Sequence, residues 1–448
     1  MSDATPMAST LRQSLWTGAL SRHWQQQRGM ITAAGWSFLA AVVARGSNLI
    51  AFALCARLLG QVEFGQVAVI QSTVGMFAPL ASLGLALTTT KFVAEYRSHS
   101  PERAGRIIAL SLAAGAAAGS LMTAALIFLA PVLAAQGFAD PGLRKQLIES
   151  SGLLFLGVID AVQNGALAGL EAFSRIAKLS AWSGLLSVPV TALLAHSYGT
   201  SGAIAGLTIS LALSCLLNAV VLHAECRTWN IRPSLAGCSS EKGILLSFSL
   251  PSYISGIVVA PVSWLSAVLL VQQPNGFAEL ALFSAADRFR FLLIFIPMAV
   301  SRIAMPALSR FHAEKNHSAY RSAFQWNLGF SLLATVPAAA LCALFAPWLL
   351  EIFGKSFASG WPVLALLAAS AVPTVLNNQL GSALLSHGRA WARTAIDGLL
   401  AVTFLAAAWF AIPRWNALGL AAAFLFSYSV ASFALWLCVR QSTPEETA

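Results

Sequence analysis

The sequence predicts an all-α, polytopic membrane protein with about twelve transmembrane helices in two six-helix halves. Of its 448 residues, 57% are hydrophobic and only 10% are charged, and the mean hydropathy is +0.73. Soluble domains carry about 25% charged residues, so this composition excludes the soluble globular class. Apolar runs long enough to cross a bilayer as helices recur along the chain, and the pattern of the first half returns in the second.

Residues 1–29 are too polar for a signal-peptide core. Their leucines and tryptophans nearly share one helical face, which predicts a cytoplasmic segment that is either an interfacial helix or a disordered tail. Residues 441–448 are expected to form a cytoplasmic tail. Hydropathy places the spans near residues 31–58, 64–90, 106–130, 148–171, 175–196, 201–222, 244–271, 277–305, 324–346, 361–385, 391–412 and 416–438.

Lysine and arginine settle the predicted orientation. With the N-terminus in the cytoplasm, roughly 18 of these residues lie on the cytoplasmic side and roughly 4 on the outer side, which obeys the positive-inside rule. Both termini are therefore expected in the cytoplasm. The net charge of +10 is explained by orientation and anionic lipid headgroups, so no nucleic-acid partner is expected.

An internal repeat divides the spans into two halves. Residues 64–70 (FGQVAVI) resemble residues 277–283 (FAELALF), and residues 172–177 (AFSRIA) resemble residues 390–395 (AWARTA). Both matches have an offset of about 215 residues and fall at corresponding span boundaries. The expected division is an N-terminal bundle (30–222), a cytoplasmic linker (223–243) and a C-terminal bundle (244–440).

The eighth span carries three charges, Asp287, Arg288 and Arg290, near the bilayer midplane. Each costs roughly 2.5 to 3.5 kcal/mol on insertion scales, so this helix is expected to face a polar interior. Asp287 and Arg290 are spaced i, i+3 and can form an ion pair. Arg288 points about 160° away from Arg290, so one arginine should face a cavity and the other a neighbouring helix. A buried structural ion pair is the alternative to a functional site.

Other polar side chains fall within the spans. Gathered in one cavity, the arginines would outnumber the aspartates and suit an anionic cargo, because guanidinium forks match phosphate oxygens. Amides around them suit sugars. The candidate cavity residues are Arg45, Asp160, Asn164, Asp287, Arg288, Arg290, Arg302, Asn377 and Asn378.

Arg45 lies at midplane depth in the first span, and its own helix has no acidic residue within one turn of it. A partner from another helix or from the cargo is therefore expected. Asp160 is the predicted partner when the cavity is empty, to be replaced by phosphate on loading. A purely structural Arg45–Asp160 staple is the alternative. Pro251 and Pro261 bracket about three turns of the seventh span and are candidate hinges for gating.

No catalytic, metal or cofactor motif accompanies these charges. The six cysteines include no CxxC pair, and neither HExxH nor GxSxG occurs. We therefore expect neither a metal site nor a cofactor, and we expect that the protein is not an enzyme.

The end of the first span carries a recognisable motif. Arg57-Leu58-Leu59-Gly60 with Glu63-Phe64-Gly65 resembles the R-x-L-G-x-x-E-[FY]-G pattern of Wzx-type polysaccharide flippases, the O-antigen and exopolysaccharide translocators of the multidrug/oligosaccharidyl-lipid/polysaccharide (MOP) superfamily. Residues 305–309 (MPALS) also resemble the end of their eighth span. Lipid II flippases of the same superfamily have a cavity arginine at the position of Arg45.

This resemblance implies two bundles around a central cavity that opens alternately to each side. The cargo would be a polyprenyl-pyrophosphate-linked oligosaccharide, carried across the bacterial inner membrane among the membrane lipids. A coupling cation, H+ or Na+, and association with polysaccharide polymerase and chain-length proteins stay open.

Two other functions remain as alternatives. A cation-coupled drug or metabolite antiporter of the same fold needs cavity carboxylates, but the arginines outnumber Asp160 and Asp287. A membrane-embedded polysaccharide polymerase or ligase needs a catalytic surface outside the membrane. The outer loops are short, the longest being residues 131–147, and contain no acid/base cluster.

Overall fold

The computed structural model describes residues 6–235, 260–314, 316–386 and 389–442. Side chains are described from residue 40 onward, except at 302, 303, 305–307, 309, 312, 313, 390, 441 and 442. Every long element in these ranges is a helix. The helices are α1 (Pro6–Ser82), α2 (Leu85–Tyr96), α3 (Pro101–Val132), α4 (Arg144–Glu149), α5 (Ser151–Gly169), α6 (Phe173–Thr228), α7 (Ala260–Val271), α8 (Gly276–Ala313), α9 (His317–Leu344), α10 (Ala346–Glu351), α11 (Trp361–Ser386) and α12 (Ala390–Ser442).

Three of these helices are hairpins of two spans. α1 turns at Gly60, α6 at Gly199 and α12 at Asn416, where the backbone leaves the helical conformation. Seven helical stretches of the described chain are long and apolar enough to cross a membrane, and three of them contain such a turn. Counting the two arms of these three separately gives ten spans, and α7 and α8 bring the total to the predicted twelve.

The turns repeat between the halves at the offset seen in the sequence. Gly60 (φ 74°) corresponds to Asn275 (φ 57°), and Gly199 (φ 59°) corresponds to Asn416 (φ 47°). These left-handed conformations favour glycine and are tolerated by asparagine, so both halves make the same reversal with either residue. The repeat is therefore present in the backbone as well as in the sequence.

The helices differ from the predicted spans at several of their ends. The second span was expected to run over 64–90, but it breaks at Leu83 and Gly84, both with positive φ, and α2 then continues to Tyr96. The polar linker was expected from residue 223, yet α6 extends to Thr228. α12 likewise runs to Ser442, into the expected tail. Polar residues at a span end can extend the helix beyond the bilayer, which hydropathy does not register.

The N-terminal segment is helical from Pro6 and joins the first span without a break before Gly60. The segment is therefore continuous with the first span, and its interfacial position on the cytoplasmic side stays a prediction. Pro251 lies outside the described residues, and Pro261 is the second described residue of the seventh span, so the hinge role of the two prolines stays a prediction.

The two halves meet along α1 and α8. The end of the molecule that contains the Gly60 turn, here called the Gly60 end, is tightly packed. Phe64 of the first half contacts Phe353 and Phe357 of the second at 6.3 and 5.8 Å between ring centres, and all three are nearly fully buried. A β-carbon on Gly65 would overlap the backbone carbonyl of Phe277. Glycine is required there because the two backbones touch.

Candidate functional site

The interface between α1 and α8 contains two charged contacts, one donated by each half. The Arg288 guanidinium of α8 lies 3.8 Å from the ring centre of Phe52 on α1. Its Nη2 also donates a hydrogen bond of 2.9 Å to Oε1 of Gln71, in the second arm of α1. Arg288 is thus the arginine of the eighth span that reaches the opposite half.

Arg45 makes the reciprocal contact. Its guanidinium lies 4.2 Å from the ring centre of Phe295 on α8. Phe52 follows Arg45 by seven residues, and Phe295 follows Arg288 by seven, so each helix contributes one arginine and one phenylalanine two turns apart. Because the two arms run antiparallel, each arginine meets the phenylalanine of the other half. We call these the two Arg–Phe contacts.

A guanidinium group can stack on a ring and bind an anion at the same time, because the two contacts use different parts of the group. A cation–π contact uses the face of the guanidinium, whereas its five N–H donors lie in the plane of the group. In both arginines the face of the guanidinium contacts the phenylalanine of the other half, and the geometry of the group directs anion binding to its edge.

Arg290 has a different environment. Its Nε lies 2.6 Å from Oδ1 of Asp287, and its side chain is 6% exposed. Its guanidinium also lies over Phe424 of α12 at 4.8 Å. The predicted ion pair is present, and it lies inside the second half. This geometry favours a structural role for Asp287 and Arg290.

Asp160 lies inside the first half. Its Oδ1 accepts hydrogen bonds of 3.0 Å from both Ser214 Oγ and Asn218 Nδ2, and its Oδ2 accepts one of 2.9 Å from Asn164 Nδ2. The predicted pairing of Asp160 with Arg45 is therefore wrong in this conformation. The prediction compared depth along the spans alone, whereas the docking of α5 on α6 decides which side chains reach the carboxylate.

The two asparagines of α11 are more buried than residues that line an open cavity. Asn377 is 2% exposed, and its backbone carbonyl accepts a 2.9 Å hydrogen bond from Arg393 Nη1. Asn378 is half-buried, and its carbonyl accepts from Ser382. The Arg302 side chain lies outside the described residues. Of the nine candidates, Arg45 and Arg288 are the ones brought to the interface by described contacts.

The sequence interpretation missed the partners of these arginines, Phe52, Gln71 and Phe295. A signal was present, since both helices carry the pattern R-x6-F. Phenylalanine is common in membrane helices, however, and two such patterns become informative only once the helices are known to be antiparallel neighbours.

The motif at the end of the first span closes the Gly60 end. Arg57 donates from Nε to the carbonyl of Ile352 (2.7 Å) and from Nη2 to that of Glu351 (3.1 Å), at the C-terminus of α10. Gln61 Nε2 donates to the carbonyl of Ser356 at 2.7 Å. These bonds run from side chains of the first half to backbone of the second, so they depend on the halves being closed.

Comparisons with known proteins agree with this architecture. The family described as "Polysaccharide biosynthesis protein" matches residues 31–312. The EPS I polysaccharide export inner membrane protein EpsE of Ralstonia nicotianae is 25% identical over 394 residues, covering 83% of this chain and 85% of EpsE. The succinoglycan biosynthesis transport protein ExoT of Rhizobium meliloti is 25% identical over 341 residues, covering 75% of this chain and 65% of ExoT.

Solved structures share the fold at lower identity. A multidrug resistance MATE family transporter of the MOP superfamily, in its inward-facing conformation, superimposes with a TM-score of 0.75 at 16% identity, over 91% of this chain and 98% of the transporter. The lipid II flippase MurJ in an inward closed conformation superimposes with a TM-score of 0.74 at 14% identity, over 90% of this chain and 87% of MurJ. These likenesses establish the fold.

Proposed function

The chain belongs to the family of polysaccharide biosynthesis proteins, and we propose that it is a flippase for a polyprenyl-pyrophosphate-linked oligosaccharide. It works by alternating access in the bacterial inner membrane and supplies O-antigen or exopolysaccharide synthesis. It moves its cargo without making or breaking a covalent bond, so it is a transporter and not an enzyme. The export and transport functions in the names of EpsE and ExoT support this proposal.

The observation that carries the proposal is the pair of arginines at the α1–α8 interface. Two helical turns separate Arg45 from Phe52, so their backbone positions lie about 10 Å apart along α1, and each residue belongs to one of the two Arg–Phe contacts. A pyrophosphate held between two guanidinium forks, each bonded at about 2.8 Å, spans a distance on the order of 10 Å. One phosphoryl group for each arginine would fit helix positions with this spacing.

The same geometry couples binding to movement. Phosphate oxygens compete with Gln71 for the donors of Arg288 and draw both guanidinium groups away from their aromatic partners. The cargo then has different affinities for the state in which the α1–α8 interface is closed and the state in which it is parted. A ligand can shift a conformational equilibrium only through such a difference. The oligosaccharide would be accompanied by lipid, whose chain stays in the membrane.

The direction of transport follows from the orientation proposed from the positive-inside rule. The Gly60 end then faces away from the cytoplasm, and the contacts of Arg57, Gln61 and Phe64 close the outer side. A reagent that does not cross membranes should label cysteines introduced at Gln136 or Asn275 from outside, and should not reach a cysteine introduced at the exposed Arg232. External labelling at Arg232 would reverse the orientation.

The proposal is tested with substitutions of Arg45, measuring surface-polysaccharide export beside the amount of protein in the membrane. Arg45→Lys keeps the charge but loses the bidentate fork, so export should fall sharply at an unchanged protein level. Arg45→Ala should abolish export. Arg414→Lys is the matched control. Arg414 is an exposed residue of α12 at the Gly60 end of the molecule, and it donates a hydrogen bond to the Phe410 carbonyl of its own helix.

A structural role for Arg45 makes different predictions. Arg45→Ala would then lower the amount of folded protein, and Arg45→Lys would be nearly silent. Normal export by a well-expressed Arg45→Ala protein would refute the phosphate contact.

A further inference from the structure

The amide side chain of Gln71 is the acceptor that the first half offers to Arg288. Nη2 of Arg288, on α8, donates a hydrogen bond of 2.9 Å to Oε1 of Gln71, on the second arm of α1. Both side chains are half-buried within membrane spans. Arginines in such positions pair with carboxylates or with neutral carbonyl oxygens, and a carboxylate holds the arginine roughly twice as strongly. The identity of the acceptor therefore decides how easily Arg288 is released.

Ion pairs hold four arginines inside the halves. Their N–O distances range from 2.6 to 3.0 Å. The pairs are Arg97–Glu171, Arg175–Glu225, Arg290–Asp287 and Arg393–Asp397. The hydrogen bonds that arginines of the described chain donate across the interface end on neutral oxygens instead. Arg288 donates to the Gln71 amide, and Arg57 donates to the backbone carbonyls of Glu351 and Ile352.

This difference matches what each kind of contact must do. Breaking a buried ion pair is strongly destabilising, because one charge is then left without a partner. A hydrogen bond from an arginine to an amide is weaker, and another oxygen can take the place of the amide. Contacts across the interface must break whenever the cavity changes sides, whereas contacts inside a half persist. A neutral acceptor such as Gln71 therefore suits a contact that is made and broken repeatedly.

The Gln71–Arg288 contact is not part of the repeated framework. At the offset of 213 residues that relates 64–70 to 277–283, Gln71 corresponds to Ser284 and Arg288 corresponds to Gly75. A β-carbon at Gly75 would meet nothing within 4 Å, and Gly75 lies one turn from Gln71 on the same side of the helix. The contact is thus formed once in the molecule, and it has open space beside it in which an anion can approach.

We propose that Gln71 is a positioning residue that acts through Arg288. Its neutral amide occupies the edge of the guanidinium while the site is empty, and it yields that edge to an anionic phosphate group of the cargo. A glutamate at this position would compete with the cargo for Arg288, whereas an apolar side chain would not compete. This role rests on the proposed function, in which Arg288 binds the phosphate.

The test measures the binding of farnesyl pyrophosphate to the full-length protein in lipid nanodiscs. A ligand that binds the folded state raises Tm, so the parent should show a saturable rise and Arg288→Gln should show none. Gln71→Glu should raise the concentration at half-saturation at least about 10-fold, because its carboxylate accepts charge-assisted hydrogen bonds from Arg288. Gln71→Met should lower that concentration, because its side chain does not compete with the phosphate for Arg288.

Gln273 provides matched controls. It lies in the turn between α7 and α8, and its Nε2 donates to the carbonyl of Leu269 in its own half. Gln273→Glu and Gln273→Met make the same chemical changes away from Arg288, so both should bind the probe as the parent does. Farnesol has the same apolar chain without the pyrophosphate, and its effect on Tm should be equal in every variant.

A structural role for Gln71 predicts different results. Both Gln71 substitutions would then change Tm without the probe but leave the half-saturation concentration at the parent value, which would overturn the role proposed for Gln71 and leave the pyrophosphate site intact. If Gln71→Glu does not reach the membrane, the comparison of Gln71→Met with the parent decides alone. A parent that responds equally to farnesyl pyrophosphate and farnesol, or to neither, would overturn the pyrophosphate site itself and the role of Gln71 with it.

Discussion

The glycine of the Glu63-Phe64-Gly65 motif offers a direct test of how the Gly60 end closes. In Gly65→Ala, the new methyl group would lie 2.6 Å from the carbonyl carbon of Phe277 on α8. Carbon atoms in van der Waals contact are about 3.5 to 4.0 Å apart, so the backbones must separate by about 1 Å. Because backbone atoms are involved, no side-chain rotation relieves the overlap.

Overpacking of this kind costs about 1 to 3 kcal/mol. The cost applies only when the two halves are closed at the Gly60 end, so the ratio of closed to open molecules should fall about 5- to 150-fold. We expect Gly65→Ala to favour the conformation that is open at this end, while the folded protein reaches the membrane in normal amounts.

Cross-linking of Gln61→Cys to Ser356→Cys with a short thiol-reactive cross-linker measures the closure, in a background without native cysteines. In the closed state the Gln61 side chain donates to the carbonyl of Ser356 at 2.7 Å, so a cross-linker about as long as that side chain joins the two positions. The rate of cross-linking should drop in Gly65→Ala. Gly75→Ala is the matched control on the same helix, since its methyl group would meet nothing within 4 Å. Equal cross-linking rates in Gly65→Ala and the control would refute the reasoning.

The second half offers two further predictions. Asp287→Asn and Arg290→Gln should each destabilise the protein by about 3 to 5 kcal/mol, because either change leaves a buried charge unpaired, and the double variant should recover part of the loss in Tm. Strictly additive losses would contradict the pair. Gly381→Ala would place a methyl group 2.7 Å from the guanidinium carbon of Arg393, so its Tm should fall below that of Gly398→Ala, which meets nothing within 4 Å. Equal Tm values would show that Arg393 relocates without loss.

The fold class, the spans and the repeat follow from the sequence because they depend on local properties. Hydropathy reports whether a segment is stable in lipid, and backbone hydrogen bonds within a lipid-exposed segment require a helix. The Asp287–Arg290 pair was predictable for the same reason, since i, i+3 neighbours on a helix are adjacent whatever surrounds them. The exact ends of α2, α6 and α12 were not, because polar residues continue a helix without changing hydropathy.

The partners of single charges were decided by the docking of helices far apart in the chain. Depth along the spans suggested that Asp160 and Arg45 meet, yet α6 brings Ser214 and Asn218 to the carboxylate, and α8 brings Phe295 to Arg45. A periodic pattern tells which side of a helix a residue occupies, but not which helix lies on that side. That choice depends on side-chain packing across the interface, which is summed over many contacts between distant segments.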